Sequence, residues 1–305
     1  MRNLYFFLLV IILFSAVNAQ NQQLFSDKKA RAPQLLKNDG SISLDLIELN
    51  NLAVEKGLEG KYMEAAADFR QIIAKDAGIY QTQYNLGRCL VALGQNDEAI
   101  EVLNNVIKIK PDHADAQASI GEAYYQKRMF AESLVYFRRA VELDPNDVVS
   151  GNNLGVVLYQ LKNFKESLKY LNIAIELQPN YAGAYCNRGT TMYAIGKKKE
   201  AAADFKKAVA LDPKFAESFN NLGVVLGEIG KKEESHQAFL EAVRLRPNWS
   251  DAMYNLALSY IQRGERDLAR EQLDTLSHYD SGLAEKGRQY LWQKYVVNAN
   301  SFKEN

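Results

Sequence analysis

The sequence predicts an all-α fold in which pairs of antiparallel helices are stacked into a solenoid. The first observation is a ladder of prolines with a constant step of 34 residues, which comprises Pro111, Pro145, Pro179, Pro213 and Pro247. The second is a ladder of glycines in register with it, which comprises Gly87, Gly121, Gly155, Gly189 and Gly223. The third is a ladder of small residues, which comprises Ala99, Ser133, Ser167, Ala201 and Ser235. Self-similarity at a fixed period of this length indicates stacked repeats rather than one central core.

Each period contains two stretches in which apolar residues recur at helical spacing, with a break between them. The break carries four glycines that suit the left-handed turn at the end of a helix, namely Gly94, Gly196, Gly230 and Gly264. The ladder glycines instead lie inside the first helix, where glycine costs about 1 kcal/mol relative to alanine. We therefore expect the second helix to approach closely at these glycines, next to the ladder of small residues. The ladder prolines then stop the second helix before the next period begins.

One period shows the full pattern, which from Ala216 comprises Phe219, Leu222, Gly223, Leu226, Ser235, Phe239, Ala242 and Pro247. This pattern resembles the tetratricopeptide repeat (TPR), with Leu226 in the place of the usual aromatic residue. The resemblance implies a right-handed superhelical solenoid of helix-turn-helix repeats, with a concave groove lined by the first helix of each repeat. It covers residues 46–283, and its motifs are specific because several independent positions recur at one spacing.

The pattern predicts seven repeats within residues 43–283, spanning 46–79, 80–113, 114–147, 148–181, 182–215, 216–249 and 250–283. The first and the last are degenerate, because Ala53 and Ala257 replace the ladder glycine. Residues 284–305 keep an amphipathic pattern through Leu291 and Tyr295 but lose the repeat motif. Since the end of a solenoid needs a polar cover, we predict a capping helix and a tail there.

Residues 1–19 predict a secretory signal peptide. Arg2 is followed by an apolar stretch over residues 4–14, and small side chains precede a cleavage point after Ala19. The stretch is shorter than the roughly 20 residues that span a bilayer, although an uncleaved anchor remains an alternative. We predict a flexible leader over residues 20–42 and an exported protein, in the periplasm or outside the cell, without a later membrane-spanning segment.

Composition and motifs argue against nucleic-acid binding, cofactors and catalysis. Lys and Arg number 37, as do Asp and Glu, so no net field attracts nucleic acid. Cys89 and Cys186 fall in different repeats, too far apart for a disulfide. The histidines have no second ligand at metal-binding spacing, and they are His113, His236 and His278. We therefore expect no cofactor, no metal and no enzymatic activity, because the repeats leave no room for a catalytic domain.

An asparagine ladder is the candidate partner-binding site. The sixth position of the first helix is asparagine in six of seven repeats, which are Asn51, Asn85, Asn153, Asn187, Asn221 and Asn255, and the third repeat has Ser119 instead. Asparagine is unfavourable inside helices, because its amide competes with the backbone. The ladder resembles that of O-linked N-acetylglucosamine transferase, whose amides hold the backbone of an extended peptide, and this implies the same use here. The alternative, that the amides only bond between helices, remains open.

The fifth and ninth positions of the first helix flank the ladder in the predicted groove. The groove-flanking candidates are Tyr84, Arg88, Glu122, Asn152, Asn220 and Tyr254. Repeats that clamp an acidic peptide C-terminus carry lysine at the fifth position and asparagine at the ninth. Because this chain has Tyr84 and Arg88 at these positions in its second repeat, we expect no carboxylate clamp of that kind.

Together these features predict a protein-binding scaffold or adaptor that holds an extended peptide or partner protein in its concave groove. Two alternatives remain. The chain could be an accessory, substrate-recruiting subunit of a cell-envelope enzyme complex, with catalysis supplied by another chain. It could also be a self-associating structural element.

Overall fold

The computed structural model describes the backbone of residues 42–301 and the side chains of residues 42–295. The predicted signal peptide and almost all of the predicted leader lie outside the described residues, as does the end of the chain from residue 302. Fifteen helices and no strand are present between residues 42 and 301. The predicted all-α class with tandem helical repeats is therefore confirmed.

The chain divides into two compact units, and the amino-terminal unit ends at Gln178. The helices described in this unit form four hairpins, with the bounds α1 Leu44–Leu58, α2 Tyr62–Lys75, α3 Tyr80–Ala92, α4 Asn96–Ile109, α5 Ala114–Gln126, α6 Phe130–Leu143, α7 Val148–Gln160 and α8 Phe164–Leu177. The second helix of a hairpin packs against its own first helix and against the first helix of the next hairpin in the unit. This alternation is the packing of a solenoid, whose core grows hairpin by hairpin.

The carboxy-terminal unit begins at Pro179 and contains three hairpins followed by a long helix. The bounds are α9 Ala182–Ala194, α10 Lys198–Leu211, α11 Ala216–Glu228, α12 Lys232–Leu245, α13 Ser250–Arg263, α14 Arg266–Ser277 and α15 Ser281–Ser301. Helix α15 packs against both helices of the last hairpin. The Tyr295 hydroxyl on α15 donates a hydrogen bond to the carbonyl of Ile261 at 3.0 Å, and Cζ of Arg266 lies 3.8 Å from the centre of the Tyr295 ring. These contacts cover the end of α13.

The ladder glycines mark the points where the two helices of a hairpin touch. A Cβ atom added to Gly87 would lie 2.4 Å from Cγ of Leu103, and one added to Gly223 would lie 2.6 Å from Cε1 of Phe239. The hydroxyl of Ser235 donates a hydrogen bond to the carbonyl of Gly223 at 2.6 Å. Glycine is therefore required here by the close packing of two helices, as the sequence indicated.

The turn inside a hairpin ends the first helix with a left-handed residue. Gly196 and Gly230 occupy this position with φ angles of 82° and 84°. Arg128 and Lys162 occupy it in two hairpins of the amino-terminal unit, with φ angles of 60° and 59°. A residue with a Cβ atom is strained in this region by about 1–2 kcal/mol. The chain therefore adopts the same turn with or without glycine, which the sequence analysis did not predict.

One position of the second helix carries a large buried side chain in every hairpin. The buried residues at this position are Phe69, Leu103, Phe137 and Leu171 in the amino-terminal unit, and Phe205, Phe239 and Leu273 in the carboxy-terminal unit. Because the position recurs with the repeat, each hairpin adds one large apolar group to the core of its unit. The first helices are thereby held in fixed places and can present their other face as a binding surface.

Candidate partner-binding site

A pocket in the amino-terminal unit opens between three successive first helices, α3, α5 and α7. Four of the candidate site residues line it, namely Tyr84, Arg88, Glu122 and Asn153. Tyr84 and Arg88 lie on α3, Glu122 lies on α5 and Asn153 lies on α7. The packing of successive hairpins therefore brings residues from three repeats to one concave site.

Small side chains on α5 form the hollow of this pocket. Ala118 and Ser119 stand at the fifth and sixth positions of their repeat, where the preceding repeat has Tyr84 and Asn85. Phe137 of α6 adds an apolar wall. The sequence showed Ser119 as the exception in the asparagine ladder, but the consequence of that exception, a pocket between α3 and α7, was not predicted.

Three carboxylates and one guanidinium line the same pocket. The carboxylates belong to Asp115, Glu122 and Asp147, and the guanidinium belongs to Arg88. Asp147 is the N-cap residue of α7, and its carboxylate accepts a hydrogen bond from the Ser150 hydroxyl at 2.6 Å. A neutral donor stabilises a carboxylate but does not remove its charge. The pocket therefore carries an excess of negative charge at neutral pH, which the balanced charge of the whole chain conceals.

Tyr84 is packed between aromatic and cationic neighbours. The centroid of the His113 ring lies 4.6 Å from that of Tyr84, and Cζ of Arg88 lies 5.6 Å from the Tyr84 centroid. Nδ1 of His113 accepts a hydrogen bond from the Ala116 amide at 3.3 Å, so this nitrogen carries no proton. Burial lowers the pKa of His113, which favours the neutral ring. The α3 side of the pocket is therefore a fixed aromatic surface with one positive charge.

The asparagines of the amino-terminal unit contain buried amide atoms without a partner. Oδ1 of Asn51 and Nδ2 of Asn85 are buried, and neither has a hydrogen-bond partner among the described residues. Oδ1 of Asn153 accepts a hydrogen bond from Nδ2 of its neighbour Asn152 at 3.2 Å. Asn152 is buried, whereas Asn153 is half-buried and reaches the pocket. Bonds between helices therefore do not use all the hydrogen-bonding capacity of the ladder in this unit.

The asparagines of the carboxy-terminal unit are buried more deeply. Asn255 is fully buried, and its Nδ2 donates a hydrogen bond to Oδ1 of Asn220 at 2.9 Å, which joins α13 to α11. Within the described residues, Oδ1 of Asn221 and Nδ2 of Asn220 have no hydrogen-bond partner. Asn187 is half-buried on α9, and Tyr254 is buried on α13. At Asn255 the structure thus contains a bond between helices of the kind that the alternative explanation of the ladder requires.

Both cysteines are free thiols, as predicted, and both are buried. Burial raises the pKa of Cys89 to about 11 and that of Cys186 to about 12. The pKa of Cys186 is affected by Ser218 and Asn221, so the thiol lies at the contact between α9 and α11. A thiol is a poor nucleophile and a poor metal ligand without its thiolate form. These positions therefore support packing rather than chemistry.

His236 is a buried packing residue on α12. Its Nδ1 lies 2.8 Å from Oγ of Ser259, and its ring contacts that of Tyr260 edge to face. In the part of the chain that the structure describes, no group of three histidine, cysteine or acidic side chains could hold a metal ion. The same part contains no helix that is both long and apolar enough to cross a membrane.

Tandem helical hairpins with a pocket between their first helices define a protein of the helical-repeat solenoid class. The chain belongs to the tetratricopeptide repeat family, as the sequence pattern predicted. Five family models, described as tetratricopeptide repeat or TPR repeat, match residues 58–123, 114–147, 152–181, 191–230 and 220–282. This fold is in general a non-catalytic scaffold for protein interactions.

Several solved structures share the fold at low sequence identity. The APC/C hetero-tetramer Cut9-Hcn1 matches with a TM-score of 0.69 at 16% identity, over 90% of this chain and 52% of that one. The Pseudomonas aeruginosa protein pilF matches with a TM-score of 0.63 at 19% identity, over 71% of this chain and 99% of that one. YrrB, a TPR protein with an unusual peptide-binding site, matches with a TM-score of 0.48 at 24% identity, over 61% and 95%. The sequence matches no curated protein.

Proposed function

We propose that this protein is an exported, non-enzymatic scaffold that holds an extended segment of a partner protein along its first helices. The pocket between α3, α5 and α7 carries this proposal, because it joins candidate residues from three repeats. The family supports a protein partner, since repeats of this kind present concave binding surfaces. The groove is the proposed binding surface, and the pocket is one part of it.

The spacing of the helices favours an extended ligand over a small molecule. Packed helices lie about 8–10 Å apart, and an extended chain advances about 3.3 Å per residue. Each first helix of a unit therefore faces about three residues of an extended partner. A segment that crosses α3, α5 and α7 would need roughly six to nine residues, which is within the range of a linear peptide.

The unpartnered amide atoms of the ladder support backbone recognition. A buried polar atom without a partner costs about 1–3 kcal/mol. The backbone of a partner offers both a donor and an acceptor, which matches the Asn51 oxygen and the Asn85 nitrogen. Because both atoms are buried, each amide would have to turn toward the groove when the partner binds. Binding of the partner would then remove a cost that is present in the free protein.

Export is proposed from the N-terminal pattern of the sequence. A positive residue, a short apolar stretch and small residues before position 20 are the features that signal peptidase recognises. The first residue of the protein recovered from the cell envelope or medium tests this directly. A protein that begins at Gln20 supports cleavage and export, whereas one that begins at Met1 supports the uncleaved anchor.

Photo-crosslinking tests the groove as the partner-binding surface. A photoreactive residue at Ala92 would lie in the pocket, and one at Val135, which is 64% exposed on α6, serves as the matched position outside it. We expect the processed chain, residues 20–305, to crosslink one defined segment of a partner in an envelope extract from position 92 only. Equal crosslinking from both positions, or from position 135 alone, would contradict the proposal.

Substitutions in the ladder provide the second part of the test. A variant with Asn51→Ala, Asn85→Ala and Asn153→Ala should lose the crosslinked partner while circular dichroism remains helical. Asn105→Ala on α4, which is exposed and outside the ladder, is the matched control. An enzyme that co-purifies in a fixed ratio through another surface would instead favour the accessory-subunit alternative.

A further inference from the structure

We infer that the pocket around Ala118 and Ser119 selects a basic side chain, lysine or arginine, of the partner segment. The inference rests on the proposed function and adds the chemistry by which one residue of the partner would be recognised. It depends on three properties of the pocket, which are the small residues at its centre, its apolar walls and the sign of its charge.

The pocket has room for a side chain because α5 carries small residues where its neighbours carry large ones. Ala118 and Ser119 face the space between Tyr84 on α3 and Asn153 on α7. The hydroxyl of Ser119 donates a hydrogen bond to the carbonyl of Asp115 at 2.8 Å, so it is bound back to its own helix. The repeat that lacks the ladder asparagine therefore has room for a side chain from the partner.

The walls of the pocket suit a long side chain with an apolar stem. Val91 and Ala92 of α3, Val149 of α7 and Phe137 of α6 line it. Lysine and arginine pack their methylene groups along apolar surface and keep the charged end in a polar environment. A short polar side chain would leave these walls uncovered, and a wholly apolar side chain would gain nothing from the negative charge of the lining.

The charge of the pocket favours a cation. Asp115 and Glu122 lie two turns apart on one face of α5, and Asp147 caps the start of α7, so carboxylates approach the pocket from two helices. Arg88 is the one cationic side chain in the lining and lies over the Tyr84 ring on the α3 side. Opposite charges attract more strongly in a partly desolvated pocket than in bulk water. An ammonium or guanidinium group would therefore bind between α5 and α7.

Selection of one side chain would also fix the register of the partner. Asparagine amides bind a peptide backbone without regard to sequence, so the ladder alone would allow the segment to slide by one residue. A pocket that accepts only a basic side chain at one point prevents this. The ladder would then supply affinity, and the exception in the ladder would supply specificity.

Binding of amino-acid amides to the processed chain tests the inference without knowledge of the partner. The probes are acetyl-lysinamide, acetyl-norleucinamide, which keeps the stem without the charge, and acetyl-glutamic acid amide. Alanine methyl NMR signals report binding, because Ala92 and Ala118 line the pocket, while Ala252 and Ala257 are buried on α13 in the other unit. We expect acetyl-lysinamide to shift only the first two signals and to bind about 5-fold or more tightly than the other probes.

Two variants test separately the space in the pocket and the negative charge of its lining. Ser119→Asn restores the residue found at this position in the other repeats, so it should fold normally and abolish the shifts caused by acetyl-lysinamide. Glu122→Gln keeps the size of the side chain and should weaken acetyl-lysinamide about 2- to 5-fold. Glu132→Gln, exposed on α6, is the charge-matched control and should change nothing.

The results also distinguish this inference from the proposed function. If norleucinamide or the acidic amide binds as well as acetyl-lysinamide, the pocket does not select a basic side chain and the inference is wrong. The same holds if Ser119→Asn leaves binding intact. If only the inference is wrong, the partner is still captured and the asparagine substitutions still abolish its capture. If the proposed function is wrong, those substitutions have no effect on capture, whereas acetyl-lysinamide still shifts the Ala118 signal.

Discussion

Asn255 on α13 donates a hydrogen bond from Nδ2 to Oδ1 of Asn220 on α11, at a distance of 2.9 Å between two side chains that are both fully buried. The pair joins two successive first helices of the carboxy-terminal unit at positions predicted to face the groove. A ladder position can thus have a structural role in one repeat, while its counterpart in another repeat retains unused hydrogen-bonding atoms.

The Asn255–Asn220 bond should contribute measurably to stability. Asn255→Ala leaves Oδ1 of Asn220 without this donor in a buried site, so we expect the free energy of unfolding to fall by about 1–3 kcal/mol. Urea unfolding followed by circular dichroism measures the change. Asn105→Ala, on the exposed side of α4, should stay within about 0.5 kcal/mol of the unmodified protein. Equal decreases in the free energy of unfolding of the two variants would show that the buried hydrogen bond does not contribute to stability.

Two glycines inside first helices should respond to alanine in opposite ways. Alanine at Gly223 would place its Cβ atom 2.6 Å from Cε1 of Phe239, so Gly223→Ala should destabilise the protein by about 1–3 kcal/mol. A Cβ atom at Gly151 on α7 would meet no described atom within 4 Å. Gly151→Ala should therefore stabilise by up to about 1 kcal/mol through helix propensity alone. Thermal unfolding of both variants, recorded side by side, tests the difference in sign.

The left-handed turns at Arg128 and Lys162 offer a stabilising substitution. Each residue has a positive φ angle that glycine adopts without strain, so Arg128→Gly and Lys162→Gly should each stabilise the protein by about 0.5–1 kcal/mol. The reciprocal change Gly196→Ala should destabilise it by about 1–2 kcal/mol. Chemical unfolding of the three variants is the measurement. A destabilised Arg128→Gly would mean that its side chain contributes more than its backbone strain costs.

The sequence could predict the helical hairpins because their determinants are local. Proline at position 179 ends a second helix by its own chemistry, and glycine at position 223 indicates that another helix packs closely there. The repeat pattern of the family then predicts that successive hairpins stack. These features follow from residue type and spacing, and they do not depend on contacts distant in sequence.

The pocket could not be predicted in the same way, because its shape depends on several helices at once. Ser119 is visible in the sequence as an exception, but the hollow also needs Ala118 beside it and Tyr84 and Asn153 on either side. The burial of each ladder asparagine likewise depends on side chains from several helices. Asn153 and Asn255 occupy the same position of their repeats, yet Asn153 is half-buried and lines a pocket, whereas Asn255 is fully buried and bonded to Asn220.

His236 should make stability depend on pH. The Ser259 hydroxyl donates to the carbonyl of Leu256 at 2.7 Å, so it must accept the bond from Nδ1 of His236, which assigns the proton of a neutral ring to Nδ1. Burial lowers the pKa of His236 below its ordinary value of 6.5, and the positive charge of Arg263 adds to this effect. Glu265 and Glu233 oppose it with smaller contributions.

The sign of the pH effect follows from proton binding in the two states. The unfolded chain binds a proton at this histidine more readily than the folded protein, so the contribution of neutral His236 is complete above pH 6.5 and is lost as the pH falls from that value through the lower pKa of the folded protein. We expect the free energy of unfolding to decline as the pH falls below about 6.5, and His236→Gln to reduce that decline. His278→Gln, at an exposed position, should retain the decline of the unmodified protein. If His236→Gln shows the same pH dependence as His278→Gln, the buried histidine is not the group that couples stability to pH.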